Sequence, residues 1–251
     1  MTCQDTYFPK NSIPMEKLNG TLSSTIKLWK DRGTGTSGIK RFRHRRKCFS
    51  NNHLWQTQIR VLSDIADAMG YLHSKQIILR DLKTENCGFD SNGKIKLFDF
   101  GLATGLRDEI KVGTDRYLFS VEGGTLRYMS PEAAIGNPYG KAADVYSFAL
   151  LAWETISLSV PFESMRTEEF MTRVIERHHR PKIPTKWPKD LKALLTKSWA
   201  SNASARPSFL QIQRQLDRLS NSDEREGHIA TFAKQHLQSR RYFSWILRSR
   251  S

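Results

Sequence analysis

Eight consecutive residues, Leu79-Arg80-Asp81-Leu82-Lys83-Thr84-Glu85-Asn86, bring acids, cations and a carboxamide close together. Thirteen residues after Asn86 comes Asp99-Phe100-Gly101, and Ser130-Pro131-Glu132 closes a polar stretch rich in Gly and Thr. Carboxylates can accept a proton, and carboxylate and carboxamide oxygens are hard donors. A lysine among them offers positive charge to an anionic reactant. The residue types point to acid–base chemistry.

Such a set needs elements to hold it. From about Asn52, Ile59, Leu62, Ile65, Ala66, Met69 and Leu72 recur at a helical period, with Asn51 or Asn52 as a cap. Ile77-Ile78-Leu79 and Lys94-Ile95-Lys96-Leu97-Phe98 read as short strands, and Asp90-Ser91-Asn92-Gly93 as the turn before the second. Residues 101–130 have no period, and a loop that long in a compact domain is usually functional. Asp144 to about Leu158 is apolar almost all round, which predicts a fully buried central helix. Further helices are expected at Glu168–Arg177, Asp190–Trp199 and Phe209–Leu219. Upstream, a strand ending at Leu18, a turn at Asn19-Gly20 and a helix ending near Trp29-Lys30 precede a loop or insert over residues 31–50.

With the Asp144-Val145-Tyr146-Ser147-Phe148 helix and Ala205-Arg206-Pro207 behind them, the three motifs stand in the order found in eukaryotic protein kinases, a family the chain resembles. The resemblance covers about residues 7–220. It implies a mainly α (α+β) protein-kinase-like fold, with a helical C-terminal lobe and most of the N-terminal β lobe missing. It implies Asp81 as the base that accepts the substrate hydroxyl proton, Lys83 near the γ-phosphate, and Asn86 and Asp99 as Mg²⁺ ligands. Lys83 and Thr125, the latter bridging Asp81 and Lys83, fit the serine/threonine class. The run from Asp144 to Glu154 resembles the tyrosine-kinase-like branch. Glu132 would pair with Arg206 and tie the loop to the helical core. Asp144 would accept backbone N–H groups of the catalytic segment. Arg80 implies an anionic partner supplied by phosphorylation at Thr114, Tyr117 or Ser120, each of which otherwise reads as a polar loop residue.

Met15-Glu16-Lys17-Leu18-Asn19-Gly20 resembles the hinge that carries the nucleotide, with Met15 as gatekeeper, and Gly88 would lie under the adenine. The chain departs from the pattern in three places. Leu79 stands where the family usually has His, which keeps packing and loses a polar contact. Gly88 is smaller than the usual apolar floor residue and leaves that floor thin. Only 14 residues precede Met15, too few for the glycine-rich loop, strand lysine and helix glutamate, so an N-terminally truncated chain is expected. Gly33-Thr34-Gly35-Thr36-Ser37-Gly38 fits a glycine-rich pattern literally. It follows a helix and opens onto arginines, and so reads as part of a flexible insert.

The formal charge of +15 is concentrated. Gly38–Phe49 and the segment after His228 carry most of it with no acid, so the charge is local and no DNA or RNA partner is expected. The terminal segment has Ile229, Phe232, Ala233 and Leu237 near helical spacing. It suits either a helix packed on the lobe or a basic amphipathic helix for an anionic membrane surface or calmodulin-like groove. Cys3, Cys48 and Cys87 form no CxxC pair and read as idle thiols, and no zinc site is visible. Neither a spanning apolar run nor a signal-peptide core is present, so an intracellular protein is expected, cytoplasmic or nuclear.

The division expected is a partial kinase domain over 1–220, with hinge about 15–20, insert about 31–50 and C-lobe 51–220, then a basic tail over 221–251. The expected activity is ATP- and Mg²⁺-dependent phosphorylation of Ser/Thr hydroxyls in a protein substrate. The alternative is a catalytically inactive kinase-like binding or scaffold module, motivated by the missing nucleotide-covering half.

Overall fold

The lobe is organised around α4 (Lys141–Ser157), in which every residue from Ala143 to Ala152 is buried. A helix apolar all round has no face left for water and must sit inside other elements. It starts after Gly140 and stops at Leu158, whose left-handed φ of 57° turns its N–H back onto Glu154 O at 2.9 Å. A computed structural model describes residues 18–34, 51–107, 110–119 and 123–226.

The other α-helices among the described residues are α1 (Leu22–Thr34), α2 (Asn51–Ser74), α3 (Pro131–Ala134), α5 (Thr167–Phe170), α6 (Lys189–Ser198) and α7 (Phe209–Glu226), of which α2 and α6 pack on α4. The predicted stripe of α2 is real: Ile59, Leu62, Ile65, Ala66 and Met69 are all buried, and α2 packs along α7. From α7, Phe209, Ile212, Leu216 and Leu219 complete that seam. Among the described residues no helix is long and apolar enough to cross a membrane.

Two small antiparallel pairs supply the strands. Ile77–Ile78 (β1) pairs with Thr104–Gly105 (β4), and Cys87–Phe89 (β2) with Ile95–Leu97 (β3). The Asp90–Gly93 turn forms as predicted: Asp90 Oδ1 accepts from the Asn92 and Lys94 amides at 2.9 Å, and Gly93 takes a φ of 76°. β2 is buried throughout and shows no alternation, so no strand was expected there.

Three expectations need correction. Helix α1 runs on to Thr34, so residues 31–34 are helical and not the start of a loop. The helix expected over Glu168–Arg177 is a single α turn continued by a π-helical segment, Met171–Glu176. Leu79 ends the expected strand early, because its amide turns to Asp144 Oδ2 at 2.9 Å. Met15, Glu16, Lys17, Ser120, Cys3, Cys48, the basic insert from Gly35 onward and the tail beyond Glu226 lie outside the described residues.

Candidate active site

The buried acid of α4 sets the site from below. Asp144 is 1% exposed and accepts three hydrogen-bonding groups: the Leu79 and Arg80 amides, each at 2.9 Å, and His73 Nε2 at 2.8 Å. Arg80 is forced to a φ of 69°, a costly backbone for a residue with a Cβ. That bend delivers Asp81 out of the core, where it is half-buried.

Asp81 is then held from three sides. Its Oδ1 accepts from Thr125 twice, from the backbone N–H and from Oγ1, both at 2.9 Å. Its Oδ2 accepts from Lys83 Nζ at 2.6 Å and from Asn86 Nδ2 at 3.0 Å. Lys83 Nζ also reaches Thr125 Oγ1 at 2.8 Å, so Thr125 bridges Asp81 and Lys83. Burial works to raise the Asp81 pKa, but the Lys83 ammonium and the Thr125 donors outweigh it and hold the carboxyl below its ordinary value. The group is a carboxylate at neutral pH, with a fixed orientation.

Asn86 also donates to Asp81 O at 3.0 Å, which spends its NH₂ group and leaves Oδ1 as the amide's remaining polar atom. Its main-chain oxygen accepts from the Phe98 amide at 3.0 Å, which places the Asp99 segment alongside. Asp99 is exposed and left-handed, with φ 60°, and its Oδ1 accepts only a long contact, 3.4 Å, from the Gly101 amide. Among the described residues no cluster of three or more His, Cys, Asp or Glu could hold a metal. One amide oxygen and one carboxylate nonetheless suit Mg²⁺, which keeps several waters and takes further oxygens from substrate phosphates.

Gly88 sits on β2 at the other edge of this site. The Gly20–Thr21 segment lies on it as an added strand, with Asn19 N to Phe89 O at 2.8 Å and Phe89 N to Gly20 O at 3.0 Å. A Cβ on Gly88 would meet Leu18 Cδ1 at 2.7 Å, Phe98 Cε1 at 3.1 Å and Gly20 O at 3.2 Å. The thin floor expected here is therefore corrected: Leu18 and Phe98 fill the space a larger residue would take.

The segment after Asp99 is more ordered than expected. Ile110 to Leu118 forms a small hairpin, with Val112 N to Arg116 O at 2.7 Å and Leu118 N to Ile110 O at 2.8 Å. Thr114 is exposed at its tip; Tyr117 is 6% exposed, so in this arrangement it is not presented to a modifying enzyme. A groove of roughly 1200 Å³ runs between this tip and the starts of α4 and α7, and none of Asp81, Lys83, Asn86 or Asp99 lines it.

Further down, Arg206 grips Glu132 with two bonds, 2.6 and 2.9 Å, the pair that the kinase resemblance implied. Leu79 is buried in the main core, whereas Phe100 keeps nearly half its surface exposed. Cys87 is buried, which pushes its thiol pKa up and leaves it inert.

A family model, protein tyrosine and serine/threonine kinase, matches residues 16–216. The chain belongs to this family. Its curated relatives include the serine/threonine-protein kinase STY17 of Arabidopsis thaliana, 32% identical over 72% of this chain and 32% of the relative. They also include serine/threonine-protein kinase STY46 of the same plant, 34% identical over 68% of this chain and 28% of the relative. A third is the dual specificity protein kinase pyk3 of Dictyostelium discoideum, 36% identical over 63% of this chain and 11% of the relative. The chain spans about a third or less of the length of these relatives.

This kinase lobe also has groups that sequence reasoning passed over. Glu154, on α4, is 2% exposed; its carboxylate accepts from the Tyr128 hydroxyl and, at 3.3 Å, from Thr84 Oγ1. It joins α4 to the segment that carries Thr84 and to the turn after Thr125. The signal was there: an acid inside an apolar helix must find donors. Burial, reinforced by Glu85 and opposed by Tyr128, Thr84 and Arg127, pushes its pKa up from 4.5 to about 7. A raised carboxyl pKa means the folded state binds the proton more tightly than the unfolded one. Its contribution is therefore greatest below pH 4.5 and is lost as pH rises to 7, by roughly 3 kcal/mol. Glu154→Gln is expected to remove that slope from stability measured by urea unfolding across pH 5 to 8.

Proposed function

We propose that this site transfers the γ-phosphoryl group of ATP to serine or threonine hydroxyls of a protein substrate. The observation that carries the reading is the fixed Asp81 carboxylate, bonded by Thr125, Lys83 and Asn86. Phosphoryl transfer asks a protein mainly to position reactants and to neutralise charge. Asp81 would accept a hydrogen bond from the substrate hydroxyl, orient it and take its proton. Lys83, two residues on, lies where positive charge can meet the phosphoryl oxygens. Asn86 and Asp99 would hold Mg²⁺, which neutralises phosphate charge when bound. Lys83 and its partner Thr125 support the serine/threonine class, as do the names of STY17 and STY46, while pyk3 is named a dual specificity kinase. Leu18 would border the adenine beside Gly88.

Addition of ATP with Mg²⁺ should raise the thermal unfolding midpoint of the chain. Ligand at a hundredfold its Kd adds about 2.7 kcal/mol of stability, which for a domain of this size is a rise of about 5 to 10 °C. Asp99→Asn should cancel the Mg²⁺-dependent part of that rise. A midpoint unmoved by nucleotide at millimolar concentration would leave a non-catalytic module as the reading of this chain.

A further inference from the structure

Arg80 joins three segments that are far apart in sequence. Its backbone is held by Asp144 and its next neighbour is Asp81. Its Nε donates to the Tyr139 hydroxyl at 2.8 Å, from the loop between α3 and α4. Its guanidinium lies 4.7 Å from the centre of the Phe119 ring, which belongs to the hairpin segment, and 5.9 Å from that of Tyr139. The Phe119 and Tyr139 rings are themselves 4.7 Å apart. Stacking of a guanidinium on an aromatic face is attractive and directional.

The same contact region is stitched by main chain. Tyr117 N donates to Tyr139 O at 2.9 Å and Tyr139 N to Tyr117 O at 3.1 Å. Beside it Gly140 lets the hairpin come close, since a Cβ there would lie 2.3 Å from Asp115 O. The kinase resemblance implies a phosphorylated residue as the partner of Arg80. Here its Nε and one face are given to aromatic side chains.

We infer that Phe119 and Tyr139 are positioning residues: they seat Arg80, and through it fix the orientation of Asp81 and the docking of residues 110–119, with no phosphate required. This rests on the kinase reading only for its effect on turnover. Displacing Phe119 would take one aromatic face from the guanidinium while Nε keeps the Tyr139 hydroxyl and Nη1 reaches Leu102 O at 3.5 Å, and the strained Arg80 backbone couples that loosened seat to its neighbour Asp81.

The test uses the full chain after phosphatase treatment, and its first readout is amide hydrogen exchange. Wild type should protect the amides of Tyr117, Leu118 and Tyr139. Phe119→Ala should speed their exchange at least about fivefold, and Phe119→Trp should restore protection. The Arg80→Ala, Phe119→Ala double variant should exchange no faster than either single one, because the two groups act as one unit. On protein substrate, Phe119→Ala should lower kcat while KM for ATP stays within about twofold. Unprotected amides in the phosphatase-treated wild type, unchanged exchange in Phe119→Ala, or additive single effects would each overturn the inference. A chain with no transferase activity would remove the proposed function and leave the exchange results to decide this point alone.

Discussion

Asp81→Asn should lower phosphoryl transfer by about 10²- to 10⁴-fold, the range that a positioned general base contributes. The loss has two parts. An amide cannot take the hydroxyl proton, and it also disturbs the local bonding. Both carboxylate oxygens of Asp81 are acceptors, Oδ1 for two Thr125 donors and Oδ2 for Lys83 and Asn86. Either orientation of an asparagine amide sets its NH₂ against two donors, so one pair of bonds is lost. Steady-state kinetics should place most of the effect in kcat, with the unfolding midpoint recorded alongside to show that the lobe remains folded. Retention of more than about a tenth of wild-type turnover would exclude Asp81 as the base. The pH profile supplies a second check. Burial tends to raise the Asp81 pKa, yet Lys83 and Thr125 hold it below its usual value. The acid limb assigned to this group should therefore lie below the ordinary carboxylate range, with activity lost as pH falls through it.

The largest effect on stability is expected at Arg206. Its guanidinium makes the two bonds to Glu132, donates to Ala200 O at 2.8 Å and Ala142 O at 2.9 Å, and stacks 5.2 Å from the centre of the Tyr146 ring. Arg206→Ala would strand the mostly buried Glu132 carboxylate and two main-chain oxygens at once. Breaking one side of a buried pair costs about 3 to 5 kcal/mol. Arg206→Lys should recover little, since an ammonium cannot make the planar double contact. Burial acts to raise the Glu132 pKa, but Arg206 dominates and lowers it. In wild type this pair therefore stabilises the fold above the ordinary value of 4.5, and the contribution is lost as pH falls through the depressed pKa. In Arg206→Ala the stranded carboxylate would take up a proton more readily. Urea unfolding should find the deficit largest near pH 7 and smaller near pH 4. A deficit below about 1 kcal/mol at pH 7 would mean that the pair is solvated like a surface bridge.

Much of this lobe was legible in the chain. Helix α2 follows from Ile59, Leu62, Ile65 and Met69, because an amphipathic period has a single stable burial. Helix α4 follows from its lack of a polar face. The short distances within Arg80–Asn86 confine Asp81, Lys83 and Asn86 to one neighbourhood, and their order relative to Asp99 and Glu132 carries the family. What could not be seen locally was whatever depends on partners distant in sequence. Strand β2 is three residues long and exists because β3 and Gly20–Thr21 flank it. The π-helical turn after Phe170, which buries Val174 and Ile175, reflects packing that overrides local preference.

The sequence by itself determined which chemical groups are present and which family they belong to, since motif order and side-chain type are properties of the chain alone. Tertiary structure alone decided what those groups face. It put Leu18 and Phe98 against Gly88, Tyr128 and Thr84 on Glu154, and Phe119 and Tyr139 around Arg80. The reason is physical: a hydrogen bond or a stacked ring reaches only a few ångströms. Residues as far apart as 80 and 139 meet at that range only once the chain has packed around α4.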